Sequence, residues 1–171
     1  EKILEFGFGT GQNLILAHRR SPATDYTGLD IDPKVKRIAE YKLKSNAINI
    51  PLVLYDGGKF PFKSNSFHKI FSSLVFHQLD TQTKKHCLLE IHRILKPGGI
   101  LIIGDWGKPK SKFRRILFYA VQLLDGFKTT QANVEGLLPA FISECGFKNV
   151  KEIGFINTKI GTYCYYKGKK L

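Results

Sequence analysis

The chain has 171 residues, 43% of them hydrophobic, and its 27 Lys and Arg against 14 Asp and Glu give a formal net charge of +13. That length and apolar content suit one domain, 1–171, with a single buried core, and no run approaches the roughly 18 apolar residues of a membrane span. Cys87, Cys145 and Cys164 stand far apart and no charged-then-apolar leader opens the chain, which argues against a disulfide framework and for the reduced thiols of a cytoplasmic protein.

A strongly basic chain raises the question of an anionic partner. The lysines are scattered, with dense groups only at Lys108, Lys110, Lys112, Arg114 and Arg115 and at Lys167, Lys169 and Lys170. A solvated surface is the first reading, peripheral contact with an anionic membrane the second, and nucleic acid the least favoured.

Ile3 to Phe6 is a short apolar strand, followed by Gly7, Gly9 and Gly11 and a helix from Gln12 to Arg20. Alternate glycines let the backbone turn at positive φ and leave no Cβ between the loop and a ligand, so a nucleoside-bearing cofactor is expected. A dinucleotide fingerprint, G-x-G-x-x-G, would need glycine at position 12 or 14. Gln12 and Leu14 stand there instead, and the pattern is E-x-G-x-G-x-G with Glu5 at the strand tip.

Tyr26 to Asp30 reads as the second strand, and Pro33 to Ser45 as a helix with Asp32 as its N-cap. Pro51 to Tyr55 and His68 to Ser73 read as strands, and Thr81 to Leu95 as a helix with Leu88, Ile91, Ile94 and Leu95 at helical spacing and Gly98 as its stop. Ile100 to Asp105 is the fifth strand. Phe113, Ile116, Leu117, Ala120, Val121 and Leu124 then make one apolar helix face, widened by Phe118, Tyr119 and Leu123. A further helix is expected from Asn133 to Cys145, packed on the sheet through Leu137, Leu138, Phe141 and Ile142. Val150 to Asn157 and Thr162 to Lys167, joined by a short turn, must be antiparallel. Strands alternating with helices imply an α/β fold with a mostly parallel sheet.

Three further segments continue the opening pattern in order. Tyr55-Asp56-Gly57-Gly58-Lys59-Phe60-Pro61-Phe62 is similar to G-D-A-x-x-L-P-F, and Ser66 to Leu79 to S-F-D-x-V-x-S-x-x-x-x-H-H-L. Glu90-Ile91-His92-Arg93-Ile94-Leu95-Lys96-Pro97-Gly98-Gly99 follows E-x-x-R-V-L-K-P-G-G. With the glycine loop and Asp30, these five motifs resemble the class I S-adenosylmethionine-dependent methyltransferases, in the small-molecule branch that includes ubiquinone/menaquinone-biosynthesis enzymes. The resemblance implies a Rossmann-like, doubly wound sheet with an antiparallel C-terminal hairpin, S-adenosyl-L-methionine as cofactor, and methyl transfer to a small, apolar acceptor. It also implies a helical segment before the first strand, and the absence of methionine suggests that the native N-terminal segment is missing. His68 departs from the pattern, which has Asp there.

Carried onto this chain, Glu5 would accept from the cofactor's ammonium, directly or through water, or else cap the loop backbone. Asp30, with Ile31 beside it, would accept both ribose hydroxyls. Asp56 would accept from the adenine amino group with the Gly57 N–H facing a ring nitrogen, against the alternative of Asp-Gly-Gly turn chemistry. Ser73 would lie beside the transferable methyl. His77 is the candidate base or orienting group, or a histidine packed on the following helix. Trp106, Phe118 and Tyr119 are candidates to wall the acceptor. His18, His86 and His92 read as structural, and no histidine or cysteine spacing suggests a metal. RNA methylation lacks its usual motifs, nicotinamide chemistry is disfavoured by Gln12, and a non-catalytic cofactor-binding module stays open, as does the oligomeric state.

Overall fold

In the computed structural model, the backbone of residues 1–171 is described, with the side chains of all but Lys112, Phe113, Arg114, Ala120, Val121, Leu124, Asp125, Phe127 and Lys128. Four positions of the expected apolar face, Phe113, Ala120, Val121 and Leu124, therefore lie outside the described residues.

The short apolar runs pair as expected of strands covered on both faces. Among the described residues, β1 (Lys2–Phe6), β2 (Asp25–Asp30), β3 (Leu52–Leu54), β4 (Phe67–Ser73) and β5 (Leu95–Trp106) pair in parallel, and β6 (Lys148–Asn157) and β7 (Thr162–Lys169) add an antiparallel hairpin. The strand order is β3-β2-β1-β4-β5-β7-β6, so it reverses at β1. In open α/β sheets, the crevice at such a reversal is where ligands bind.

Alternation along the strands divides the core. Leu4, Phe6, Ile70, Leu101 and Ile103 face one layer, where Leu88 and Ile91 of α3 (Thr81–Ile94) and Ile142 pack, all buried. On the other face Leu14 and Ile15 of α1 (Gln12–Arg20) pack with Ala39 and Leu43 of α2 (Pro33–Ser45), and Ile3 and Phe71 lean on them. Burying each such aliphatic side chain is worth about 1.5–3 kcal/mol. Caps fix where the helices start: Asp32 Oδ1 accepts the Lys34 N–H at 2.7 Å, and Asp80 Oδ1 the Thr83 N–H at 2.8 Å.

Two expectations are corrected. The helix expected over Asn133 to Cys145 is two, the end of α5 (Phe127–Glu135) and α6 (Leu138–Glu144), which follow α4 (Lys112–Asp125). Gly136, at φ +78°, terminates α5, and Pro139 fits the first turn of α6. Gly98 is likewise not the stop of α3. Leu95 is already extended and pairs with Phe67, and Pro97 disfavours helical geometry at Lys96. A 3₁₀ turn at Phe76–Gln78 is added between β4 and α3. Among the described residues, no helix is long and apolar enough to cross a membrane.

Candidate active site

At the reversal, the chain leaves β1 through Gly7 and Gly9, at φ +74° and +51°. A Cβ at Gly7 would overlap the Val75 side chain, whereas one at Gly9 would meet nothing within 4 Å. Gly7 is therefore fixed by packing and turn geometry, and Gly9 opens onto a cleft of about 450 Å³. Its walls come from this loop, from Asp30 to Asp32, from Tyr55 and from Ser73 to Val75. The volume lies within the range typical of small-molecule sites. A depression of similar size, about 470 Å³ between the end of α2 and the start of β3, lies away from the carboxyl ends of the strands.

Asp30 is nearly buried, and the loops organise its carboxylate. Oδ2 accepts the Gly9 N–H at 2.8 Å, and Oδ1 accepts those of Ile31 at 2.7 Å and Asp32 at 3.1 Å. With two lone pairs per oxygen, Oδ2 retains acceptor capacity while Oδ1 is filled. Glu5 is fully buried one residue inside Phe6 and does not form the cleft wall. Its Oε1 accepts from Asn13 Nδ2 at 3.0 Å, and its Oε2 has no hydrogen-bond partner among the described residues. Burial pushes its pKa up to about 8; the Asn13 bond opposes that shift and the Asp30 charge adds to it. Among the described residues, neither lysine nor arginine lines the cleft, although Lys42 of α2 reaches Thr10 Oγ1 in the loop at 2.9 Å.

Asp56 is exposed and accepts the Gly58 N–H at 3.0 Å, the expected turn contact. Gly57 lies against Ile31, since a Cβ there would come within 3.5 Å of Ile31 Cδ1. Gly11 is the N-cap of α1 and abuts Ala39. Asp56, Gly57 and Gly11 border the site without lining it.

Beyond β4, Ser73 Oγ is 2.9 Å from the Tyr163 hydroxyl, and Leu74 holds φ +57° while its N–H bonds Gly104 O at 2.9 Å. A left-handed leucine on a cleft wall is a local strain of about 1–3 kcal/mol held in place by its surroundings. His77 is buried against Asp105, not merely packed on α3: its Nδ1 lies 2.7 Å from Asp105 Oδ1, and its backbone N–H donates to Oδ2 at 3.1 Å. Oδ1 also accepts the Trp106 N–H at 2.7 Å. Lys84 is fully buried nearby, its Nζ donating to Leu79 O at 2.5 Å and Thr129 O at 2.6 Å. Burial pulls its pKa down to about 8, against the opposing pull of Asp105 and Asp80.

Trp106, Phe118 and Tyr119 do not meet the cleft. Phe118 is fully buried with its ring 5.7 Å from that of Trp106, a core contact, and Tyr119 is 45% exposed beneath the Arg115 guanidinium, 4.3 Å from its ring centre. Lys84 and Tyr163 are additions to the sequence reading, as is the pairing of Asp105 with His77. Asp105 had a signal, an acid ending a buried strand, but Lys84 and Tyr163 read as an ordinary surface lysine and one of several alternating aromatics. Among the described residues, no three His, Cys, Asp or Glu side chains gather as a metal would require.

Against this geometry, the profile of the methyltransferase-domain family matches residues 3–99. The chain belongs to that family. It is 32% identical over 112 residues to a demethylmenaquinone methyltransferase of Thermotoga maritima, covering 66% of this chain and 46% of the relative. To a ubiquinone/menaquinone biosynthesis C-methyltransferase of Bordetella avium it is 29% identical over 108 residues, 63% of this chain and 41% of the relative. It thus spans less than half the length of either. A solved SAM-dependent methyltransferase of Methanosarcina mazei superposes with a TM-score of 0.75 at 22% identity, over 99% of this chain and 92% of that one, showing the same Rossmann-like fold.

Proposed function

We propose that the chain binds S-adenosyl-L-methionine and acts as a methyltransferase on a small, apolar, quinone-like acceptor. The observation that carries this reading is electrostatic. In a chain of net charge +13, the carboxylates lining the cleft are Asp30 and Asp32, and no lysine or arginine lines it among the described residues. An acidic cleft favours a sulfonium and an ammonium and opposes a pyrophosphate. The open face of Gly9 leaves room for a nucleoside to approach the backbone. The names of the two curated relatives support the quinone-like acceptor.

When bound, the cofactor supplies a methyl group activated by positive sulfur. The chain's own work is to hold and orient. Asp30 Oδ2 accepts from a ribose hydroxyl, narrowing the expected two-oxygen grip to one, and Ile31 covers the adjoining ring. Glu5 offers its unpaired Oε2 toward the ammonium through the loop. Asp56 and Gly57 serve the adenine edge, and Ser73 stands where acceptor and cofactor meet. Positioning alone supplies much of the acceleration of an in-line displacement. Where the acceptor must lose a proton, His77 is the base or orienting group, and Asp105, 2.7 Å from Nδ1, orients its ring. The buried free thiols suit a cytoplasmic setting. Contact with an anionic membrane would use Ile116 and Leu123, which are exposed on the side of α4 away from buried Phe118 and Gln122.

Calorimetric titration tests the reading. S-adenosylhomocysteine should bind at least tenfold more tightly than NAD, and tighter NAD binding would overturn it.

A further inference from the structure

β7 places Tyr163 opposite Trp106 of β5 and Ile156 of β6. From there its side chain crosses β5 over Gly104, where a Cβ would overlap the phenol, and its hydroxyl reaches Ser73 Oγ, 2.9 Å away at the tip of β4. The missing side chain at 104 is what lets a residue of the C-terminal hairpin touch a residue of the cleft. Two aromatic rings hold the phenol edge-on: Tyr165 at 5.1 Å and 75°, and Trp106 at 6.2 Å and 83°. Tyr163 is only partly buried.

The pair has spare hydrogen-bonding capacity. Two hydroxyls bring two donors, and the bond between them uses one, leaving a donor for a third group. Burial raises the Tyr163 pKa, and the Ser73 bond opposes this, so the phenol stays protonated near neutrality. Ser73, to which the phenol is bonded, lines the cleft proposed for the cofactor, so the phenol and its aromatic supports adjoin that cleft.

We propose that Tyr163, locked to Ser73, is a specificity-determining residue of the acceptor subsite, its hydroxyl selecting aromatic rings that carry an oxygen over rings that do not. This rests on the methyltransferase reading above. Trp106 and Tyr165 act as the supports that keep the phenol pointed across Gly104.

The test compares wild type with Tyr163→Phe, which keeps the ring and removes one hydroxyl, using S-adenosylhomocysteine, 1-naphthol and naphthalene as probes. Binding of both aromatic probes is measured in saturating S-adenosylhomocysteine. Tyr163→Phe should weaken 1-naphthol roughly tenfold, the scale of one lost hydrogen bond, and leave naphthalene and S-adenosylhomocysteine within about twofold. Unchanged S-adenosylhomocysteine binding also certifies that the variant is folded. Equal loss for both aromatic probes, no loss for either, or a fall in S-adenosylhomocysteine affinity would each overturn the assignment. Failure of wild type to bind S-adenosylhomocysteine would instead remove the methyltransferase reading on which it stands.

Discussion

The two sides of the sheet reversal fix their polar groups by different means. On the β1–β2 side, the Asp30 and Asp32 carboxylates are held by backbone amides, Asp30 by Ile31, Asp32 and the more distant Gly9, and Asp32 by Lys34, while Glu5 takes the Asn13 side chain eight residues on. On the β4–β5–β7 side, the partners are remote. His77 and Asp105 are 28 residues apart, Lys84 and Thr129 45, and Ser73 and Tyr163 90. Local fixation survives small changes in packing, because each contact is made by the turn itself. Remote fixation depends on the whole sheet being in register, so its groups should be more sensitive to single substitutions and less transferable between relatives.

The largest expected effect comes from breaking the remote network at its centre. Asp105 is fully buried, accepts three hydrogen bonds and opposes the desolvation of buried Lys84. Asp105→Ala should lower unfolding free energy by about 3–5 kcal/mol, because it leaves two amides unpaired and a buried ammonium without the larger of its two opposing acids, Asp80 remaining. Urea titration measures this. A loss under about 1 kcal/mol would mean that the network is no more demanding than the local one.

The same division explains what could be read from the sequence. The glycine loop, the Asp32-Pro33 cap, the strand alternation and the short hairpin turn are local codes, and the strands, α1 and α2 stand where those codes place them, within a few residues at their ends. The break at Gly136 was hidden because Val134 before it and Leu137, Leu138, Phe141 and Ile142 after it form one apolar period. The inward and outward sides of α4 were hidden because Ile116, Tyr119 and Leu123 are as apolar as a core stripe, while Gln122, buried and bonded to Arg115 at 2.7 Å, looks like a surface residue. In the site, Glu5, Asp30 and Ser73 were visible as types at strand ends. Tyr163 was not, because its role depends on a register and on the bare backbone of Gly104 rather than on any neighbour in sequence.

Glu5 sharpens the comparison because it is buried on the locally coded side yet incompletely paired. Its folded pKa of about 8 exceeds the ordinary carboxyl value of 4.5. The native state therefore favours the protonated acid: its contribution to stability is fully present below about pH 4.5 and is lost as pH rises toward 8. Glu5→Gln, which keeps the neutral shape, should match wild type at pH 4.5 and be more stable at pH 8 by on the order of 2 kcal/mol, the scale of relieving an unpaired buried group. The same variant should bind S-adenosylhomocysteine more weakly at pH 8, since the proposed ammonium partner is gone. Equal stabilisation at both pH values would show that charge is not the cause.

The smallest effect separates two neighbouring carboxylates. Asp32 is a helix cap with one bond to Lys34 and a second charge on the cleft wall, so Asp32→Ala should reduce stability by about 1 kcal/mol and weaken S-adenosylhomocysteine binding by no more than about twofold. Asp30→Ala should instead weaken that binding by about 1–2 kcal/mol through the lost ribose contact. It should also loosen the loop, because the N–H groups of Gly9, Ile31 and Asp32 all lose their acceptor. Asp30→Asn discriminates these two consequences: its remaining carbonyl oxygen can keep the Ile31 and Asp32 bonds, while its amide offers the Gly9 N–H a donor in place of an acceptor. Thermal melts and calorimetry on the three variants should give a cap phenotype at Asp32, a combined phenotype at Asp30→Ala, and at Asp30→Asn a binding loss that outweighs the loss of stability. Binding lost at Asp32 and kept at Asp30 would assign the ribose to the wrong carboxylate, and with it the register of the whole cleft.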